Sequence, residues 1–99
     1  MTSDEALKKF YANLIMVDGR SELTAQTYKT AANEFLGYLK RQNIDLQKVT
    51  VKDLLYYLSS RKTDGCSELT LAKDISALRA LGAFLVLENV WQQNVLLSK

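Results

Sequence analysis

Two four-residue stretches, Ser21-Glu22-Leu23-Thr24 and Ser67-Glu68-Leu69-Thr70, each open a run with helical spacing, one closing at Asn43 and the other at Asn89. In both, Ser can cap the first free N–H groups, Glu opposes the positive end of the helix dipole, and Asn tolerates the left-handed stop. Aligned from their serines, the runs also share an Ala (Ala31, Ala77) and a Leu (Leu39, Leu85). The chain contains no Pro and only four Gly, so nothing interrupts this periodicity. An all-α fold follows.

At 99 residues and 47% apolar composition, the chain suits one domain over residues 1–99 with its own core. The single Cys66 excludes an internal disulfide, and without any His no zinc set is available, so packing alone must hold the core. No run reaches the roughly 20 apolar residues that cross a bilayer. The start MTSDEALKKF lacks the apolar stretch of a secretory signal. A cytoplasmic protein with no membrane partner is expected. Thirteen basic residues stand against eleven acidic ones, a net charge of +2 without a basic tail, which permits nucleic-acid binding but does not require it.

Four helices are predicted. Ser3-Asp4-Glu5 starts the first, which runs to about Val17 with Leu7, Phe10, Tyr11, Leu14 and Ile15 on its apolar face and Asp18-Gly19 as its stop. In the second, Ala25, Tyr28, Ala32, Phe35, Leu36 and Leu39 fall on one arc and Leu23, Thr27, Thr30 and Glu34 on another. The first arc is core, and the second meets solvent or a partner. Ile44, Leu46 and Val49 pin the connection that follows. Thr50 and Asp53 form a capping-box-like start for the third helix, whose stripe is Val51, Leu54, Leu55 and Leu58, leaving Tyr56 or Tyr57 partly exposed. That helix fades through Ser59 to Lys62 into the turn Thr63-Asp64-Gly65. The fourth buries Leu71, Ile75, Leu78, Gly82 and Leu85, with Leu69, Thr70, Lys73 and Ala77 opposite, and Ala77, Ala80, Gly82 and Ala83 let a neighbour approach closely. The tail from Val90 is apolar enough to pack, with Trp91 in the core.

Catalytic chemistry finds little footing. There is no phosphate-binding Gly loop, no nucleophile elbow and no zinc-protease motif, and the commonest general base is absent. The carboxylates are scattered singly, Asp4, Glu5 and Asp53 at helix starts and Asp74 and Glu88 as surface charges. None of the five Tyr has the neighbours phosphoryl transfer would need. Binding is better supported, because both SELT starts direct helix N-termini outward, where phosphate oxygens are accommodated. Ser21, Thr24, Ser67 and Thr70 either cap these helices or add phosphate contacts. Lys29, Lys62 and Lys73 are solvated charges unless their nearness to the helix starts gives them a ligand. Cys66 reads as inert.

Four blocks in order resemble the N-terminal core-binding domain of tyrosine recombinases, the phage-integrase and Xer-like family. They are SELTAQTYKTAANEFLGYL, IDLQKVTVKDLLYYL, SELTLAKDISALRALGAFL and ENVWQQNV, covering most of the chain. The resemblance implies a small four-helix, SAM-like orthogonal bundle with a short C-terminal extension. It implies one grip on a double-stranded recombination half-site, with helices 2 and 4 in the major groove. The DNA-facing set by position is then Thr24, Gln26, Thr27 and Thr30 of helix 2 and Leu69, Thr70 and Lys73 of helix 4, with Lys62 adding a phosphate contact. It implies no cofactor and no metal, other recombinase protomers as partners on DNA, and a monomeric isolated domain. The catalytic residues belong to a second domain that this sequence does not contain, so no enzyme activity is expected of these 99 residues alone.

The sequence also departs from the family. Lys29, Thr30, Asn33 and Glu34 stand where many relatives carry Arg, Leu23 and Leu69 where polar residues are common, and Val95 where Pro is usual. Leu23 and Leu69 can meet thymine methyls instead. The competing reading is a helical protein–protein interaction module anchored by Leu23, Leu69, Tyr56 and Tyr57.

Overall fold

The computed structural model describes residues 2–94, which form four α-helices and one short 3-10 turn, with no strand among them. They are α1 (Ser3–Met16), α2 (Glu22–Arg41), the 3-10 turn Leu46–Lys48, α3 (Val51–Thr63) and α4 (Glu68–Leu87). Val95 and the rest of the tail lie outside the described residues. No helix among those described is long and apolar enough to cross a membrane.

The two SELT runs become two helices of equal length with matching ends. Ser21 Oγ accepts the Thr24 N–H and Ser67 Oγ accepts the Thr70 N–H, both at 3.2 Å. Asn43 and Asn89 both take the left-handed conformation, at φ 60° and 62°. The following N–H groups, of Ile44 and Val90, then reach back to the Leu39 and Leu85 carbonyls at 2.8 and 2.9 Å, closing each helix by the same pattern. Thr50 and Asp53 form a full capping box, the Asp53 carboxylate accepting the Thr50 N–H at 2.8 Å. At α1 the cap is Thr2, not Ser3: the Thr2 hydroxyl accepts the Glu5 N–H, and Ser3 is already helical.

The core joins all four helices. Phe10 and Leu14 come from α1, Phe35, Leu36 and Leu39 from α2, Leu54 and Tyr57 from α3, and Leu78, Leu81, Phe84 and Leu85 from α4. Phe35 meets the Tyr57 ring edge-on at 5.1 Å, and Phe10 lies 5.8 Å from Phe84. Leu46 and Val49 seal the connection into α3, and buried Trp91 donates its Nε1–H to the Leu46 carbonyl at 2.7 Å. The exit from α4 is thereby tied to the connection between α2 and α3.

Several expected faces turn out otherwise. On α3 Val51 and Leu55 are exposed and Leu58 is half-buried, although one tyrosine of the pair is exposed as expected, Tyr56, with Tyr57 buried. The helix meets the core along a narrow line through Leu54 and Tyr57, so the flanking leucines overhang it. On α4, Leu71 and Ile75 are only half-buried, whereas Ala77, Leu81 and Phe84 are buried, as is Asp74, expected at the surface. At 100° per residue, the buried face is rotated by about 60° from the expected one. The close approach that small residues allow on α4 occurs at Gly82, where a Cβ would collide with the Asn94 side chain.

The Tyr57 hydroxyl is buried with no hydrogen-bond partner among the described residues. Burial pushes it up to about 12, with Asp74 and Glu34 adding to the shift and Arg61 opposing it. An unfolded Tyr ionises near 10, so from there upward the unfolded chain gains by releasing a proton that the folded chain keeps. The contribution of Tyr57 is therefore intact below pH 10 and is lost as pH rises towards 12. Tyr57→Phe should leave stability at pH 7 unchanged or raised by up to about 1 kcal/mol, since it removes an unpaired buried hydroxyl. Denaturant titrations from pH 9 to 12 should show the wild-type curve falling more steeply than the variant's, by on the order of 2 kcal/mol. Parallel curves would refute this account of Tyr57.

Candidate nucleic-acid interface

On α4, the azimuth that is closed by packing at Leu78, Leu81 and Leu85 is also that of Asp74 and Thr70, one and two turns earlier. There it opens into a concavity of about 400 Å³ against α2, lined by Thr27, Thr30, Ala31 and Glu34 from one helix and Thr70, Lys73 and Asp74 from the other. Arg61, in the last turn of α3, completes the lining. A second concavity of about 420 Å³ adjoins it and is lined by Leu23, Thr24, Thr27, Tyr28, Ala72, Lys73 and Ser76. Thr27 and Lys73 line both.

Thr24, Thr27, Thr30, Thr70 and Lys73, proposed from the sequence, are therefore gathered along one α2–α4 groove. Gln26, Lys62 and Leu69 are exposed but line neither concavity. Leu23 and Leu69, at equivalent positions of the two helix starts, are 79% and 68% exposed, a large uncovered apolar area for residues beside helix caps. Lys29 is not a free charge: its Nζ lies 5.1 Å from the centre of the Tyr11 ring.

Hydrogen bonding separates what these hydroxyls can do. Thr27 and Thr30 donate to the carbonyls of Leu23 and Gln26, at 3.0 and 2.9 Å, which spends their protons inside α2. What they present outward is an acceptor oxygen and a methyl group, suited to a base amino group or a thymine methyl rather than to a phosphate. Ser21 is consumed by capping, since its oxygen accepts from Thr24 N and its hydroxyl donates to Thr24 Oγ1 at 3.0 Å. Thr24 keeps its own proton and can donate it to a phosphate oxygen. At the second start Ser67 and Thr70 share one hydrogen bond at 3.0 Å, and Ser67 accepts from Thr70 N in the same way.

Sequence reasoning missed Arg61 and Asp74. They form an ion pair, Nε to Oδ2, in which the Asp74 side chain is 9% exposed and that of Arg61 21%. Burial works against the charge on Arg61, but the fields of Tyr57 and Asp74 outweigh it and hold the guanidinium above its ordinary value. The guanidinium also lies over the Tyr57 ring, 5.8 Å from its centre. A signal for Asp74 was present: it sits four and seven residues ahead of Leu78 and Leu81, on the buried stripe. Its partner comes from another helix, and no local pattern names it. Among the described residues, no cluster of His, Cys, Asp or Glu could hold a metal ion.

A groove between two helices whose capped starts carry exposed leucines, threonines and a lysine gives the geometry, and comparison with known proteins gives the lineage. Residues 7–89 match the model of the phage integrase, N-terminal SAM-like domain. The chain belongs to that family. Over 96 residues the domain is 33% identical to a tyrosine recombinase XerC of Listeria innocua, covering 95% of this chain and 32% of the relative. A XerC of Bacillus pumilus is 29% identical over the same coverage, and a XerD of Oceanobacillus iheyensis is 28% identical over 86% of this chain and 29% of its own length. The SAM-like domain thus spans about a third of the relatives it matches. No solved structure matches it significantly.

The cap and groove hydroxyls should behave oppositely on substitution. Ser21→Ala and Ser67→Ala each remove a first-turn acceptor and should cost about 0.5–2 kcal/mol in thermal or denaturant unfolding. Thr27→Val, which removes a hydroxyl bonded only to its own helix at an exposed site, should cost less than about 0.5 kcal/mol. A Thr27→Val penalty equal to that of the caps would mean that Thr27 is structural.

Proposed function

We propose that this SAM-like domain is the sequence-specific DNA-binding N-terminal domain of a site-specific tyrosine recombinase. It grips one recombination half-site by presenting the N-terminal halves of α2 and α4 to the major groove. Double-stranded DNA and further protomers of the same recombinase bound to it are its partners, in the cytoplasm. Strand cleavage and rejoining belong to the whole protein, through a catalytic domain outside these residues. The observation that carries this reading is the gathering of Thr24, Thr27, Thr30, Thr70 and Lys73 along one groove between two identically capped helices.

The division of labour follows from the chemistry of each side chain. Thr24 and Lys73 donate to phosphates, as Lys62 does from the end of α3, and fix the register of the domain. Thr27 and Thr30 offer acceptors and methyls to base edges, with Gln26 one residue away able to make a bidentate contact to adenine. Exposed Leu23 and Leu69 meet thymine methyls. The charges in the groove nearly cancel, Arg61 and Lys73 against Glu34 and Asp74, so non-specific attraction is modest and affinity depends on fit. The exposed Leu55 and Tyr56 on α3 favour a second reading, a protein-binding face, which is separable because it lies on a different helix.

A gel shift or NMR titration with a half-site from the native element should show binding that weakens as salt rises, by about 0.9 log units per tenfold salt for each phosphate neutralised. Thr27→Glu combined with Lys73→Glu should abolish that binding without unfolding the domain. Chemical-shift changes should fall on α2 and α4. Changes confined to α1 and α3, or a protein partner whose binding survives the double substitution while DNA is ignored, would replace this reading with the interaction module.

A further inference from the structure

We propose that Arg61, oriented by its buried ion pair with Asp74, is a specificity-determining side chain of the α2–α4 groove that reads a guanine in the major groove of the bound DNA. This inference rests on the DNA-binding reading above. Arg61 comes from neither SELT helix, yet its side chain lines the concavity that holds Thr27, Thr30, Thr70 and Lys73. A guanidinium carries N–H donors on three nitrogens in one rigid plane. Here Nε is sealed from solvent and lies in ion-pair contact with Asp74 Oδ2, without a hydrogen bond between the two, so the accessible fifth of the side chain is not the part that faces the carboxylate. No other hydrogen bond or ion pair of this side chain is present among the described residues, which leaves the two terminal nitrogens for a ligand. The charge contact with Asp74 on one side and the Tyr57 ring, 5.8 Å from the guanidinium carbon, on the other restrict where the fork can point. Two parallel donors presented end-on match guanine O6 and N7.

The ion pair also distinguishes base reading from phosphate clamping. Asp74 cancels the charge of Arg61 at close range, so Arg61 contributes little to counterion release. A phosphate clamp would gain from an uncompensated cation. A base reader gains from a fixed direction, which a buried carboxylate supplies. Among the described residues, the cation of the groove without an ion-pair partner is exposed Lys73. Arg61 is therefore the side chain whose loss alters which sequence is bound and only secondarily how tightly DNA in general is held.

The test exposes the 99-residue chain to a pool of duplexes with a randomised core and sequences the bound fraction. Affinities and salt slopes are then measured on the enriched site and on its single-base variants. Arg61→Lys keeps a cation beside Asp74 but loses the fork. It should lower discrimination at one G·C pair roughly 5- to 150-fold, with preferences elsewhere and the salt slope unchanged. Asp74→Asn should relax the same pair while steepening the salt slope by about 0.9, because the cation is then uncompensated. If Arg61→Lys melts early, Arg61→Met with Asp74→Leu removes both charges, a replacement that folds commonly tolerate, and the same pair should lose its preference. Full retention of base preference in a folded Arg61 variant would overturn the inference. So would a loss spread evenly over all sequences with a shallower salt slope, the mark of a phosphate contact. In either case the DNA-binding reading would stand. A wild-type chain that enriches no sequence, and whose weak binding is unmoved by Thr27→Glu with Lys73→Glu, would remove that reading and this inference together.

Discussion

The packing of α2 against α4 is the constraint from which the rest follows. Both helices are twenty residues long, start on a Ser cap and stop on a left-handed Asn, so they enter the fold as matched rods. Their C-terminal halves carry the large apolar side chains: Phe35, Leu36 and Leu39 on one, and Leu78, Leu81, Phe84 and Leu85 on the other. On α4 the N-terminal half places Thr70 and Asp74 on the azimuth of those leucines, whereas on α2 the buried arc continues in the small side chains Ala25 and Ala32, with Thr27 and Thr30 on the neighbouring arc. Burial is favourable only where the facing side chains are apolar, at about 25 cal/mol per Å² removed from water, so contact closes at one end and leaves a polar groove at the other. The groove follows from where the apolar stripe of α4 ends, facing a wall of α2 that carries Thr27, Thr30 and Glu34.

At the boundary between those halves sits a buried carboxylate, Asp74. Burying a charge is costly unless it is paired. Arg61 reaches Asp74 from α3 and pairs with it. Such pairs are weak evidence for stability, because desolvating both ions offsets much of their attraction. What this one supplies is geometry. It joins the end of α3 to the start of α4 across the Asp64-Gly65 turn, where Gly65 adopts φ 93°. Tyr57 completes the arrangement with its ring under the guanidinium and its hydroxyl left unpaired. Three polar groups thus sit where a domain selected only for stability would place leucines.

Much of this was legible in the sequence because the deciding physics is local. Caps and stops are matters of one hydroxyl, one carboxylate or one left-handed residue, and Ser21, Ser67, Thr50, Asn43 and Asn89 all do in the structure what their types predict. The apolar stripe of α2 was legible because that helix has a clean polar side. α4 defeated the same method: it touches α1, α2 and α3, and a helix apolar around most of its circumference gives periodicity little to distinguish. Its face came out rotated, Ala77 went inward and Asp74 went with it. α3 failed for the opposite reason, since its contact with the core is too narrow to shelter Val51 and Leu55. The Arg61–Asp74 pair was beyond reach because it joins two elements through a turn.

The duplicated SELT starts take on a more exact meaning once their hydrogen bonds are counted. Ser21 and Ser67 both hold helix ends through their oxygens, and the glutamates that follow them are exposed. The next turn differs: Thr27 keeps its proton inside α2, and Lys73, three residues past the cap partner Thr70, has no hydroxyl at all. The repeat is therefore a repeat of capping, and the groove is lined where the two copies stop resembling each other. That division has a physical basis. A cap must satisfy the same free N–H groups in every helix, which fixes its residue types, whereas a groove facing a ligand is free to differ on its two walls. Here the α2 wall carries Thr27, Thr30 and Glu34, and the α4 wall carries Thr70 with the opposite charges of Lys73 and Asp74.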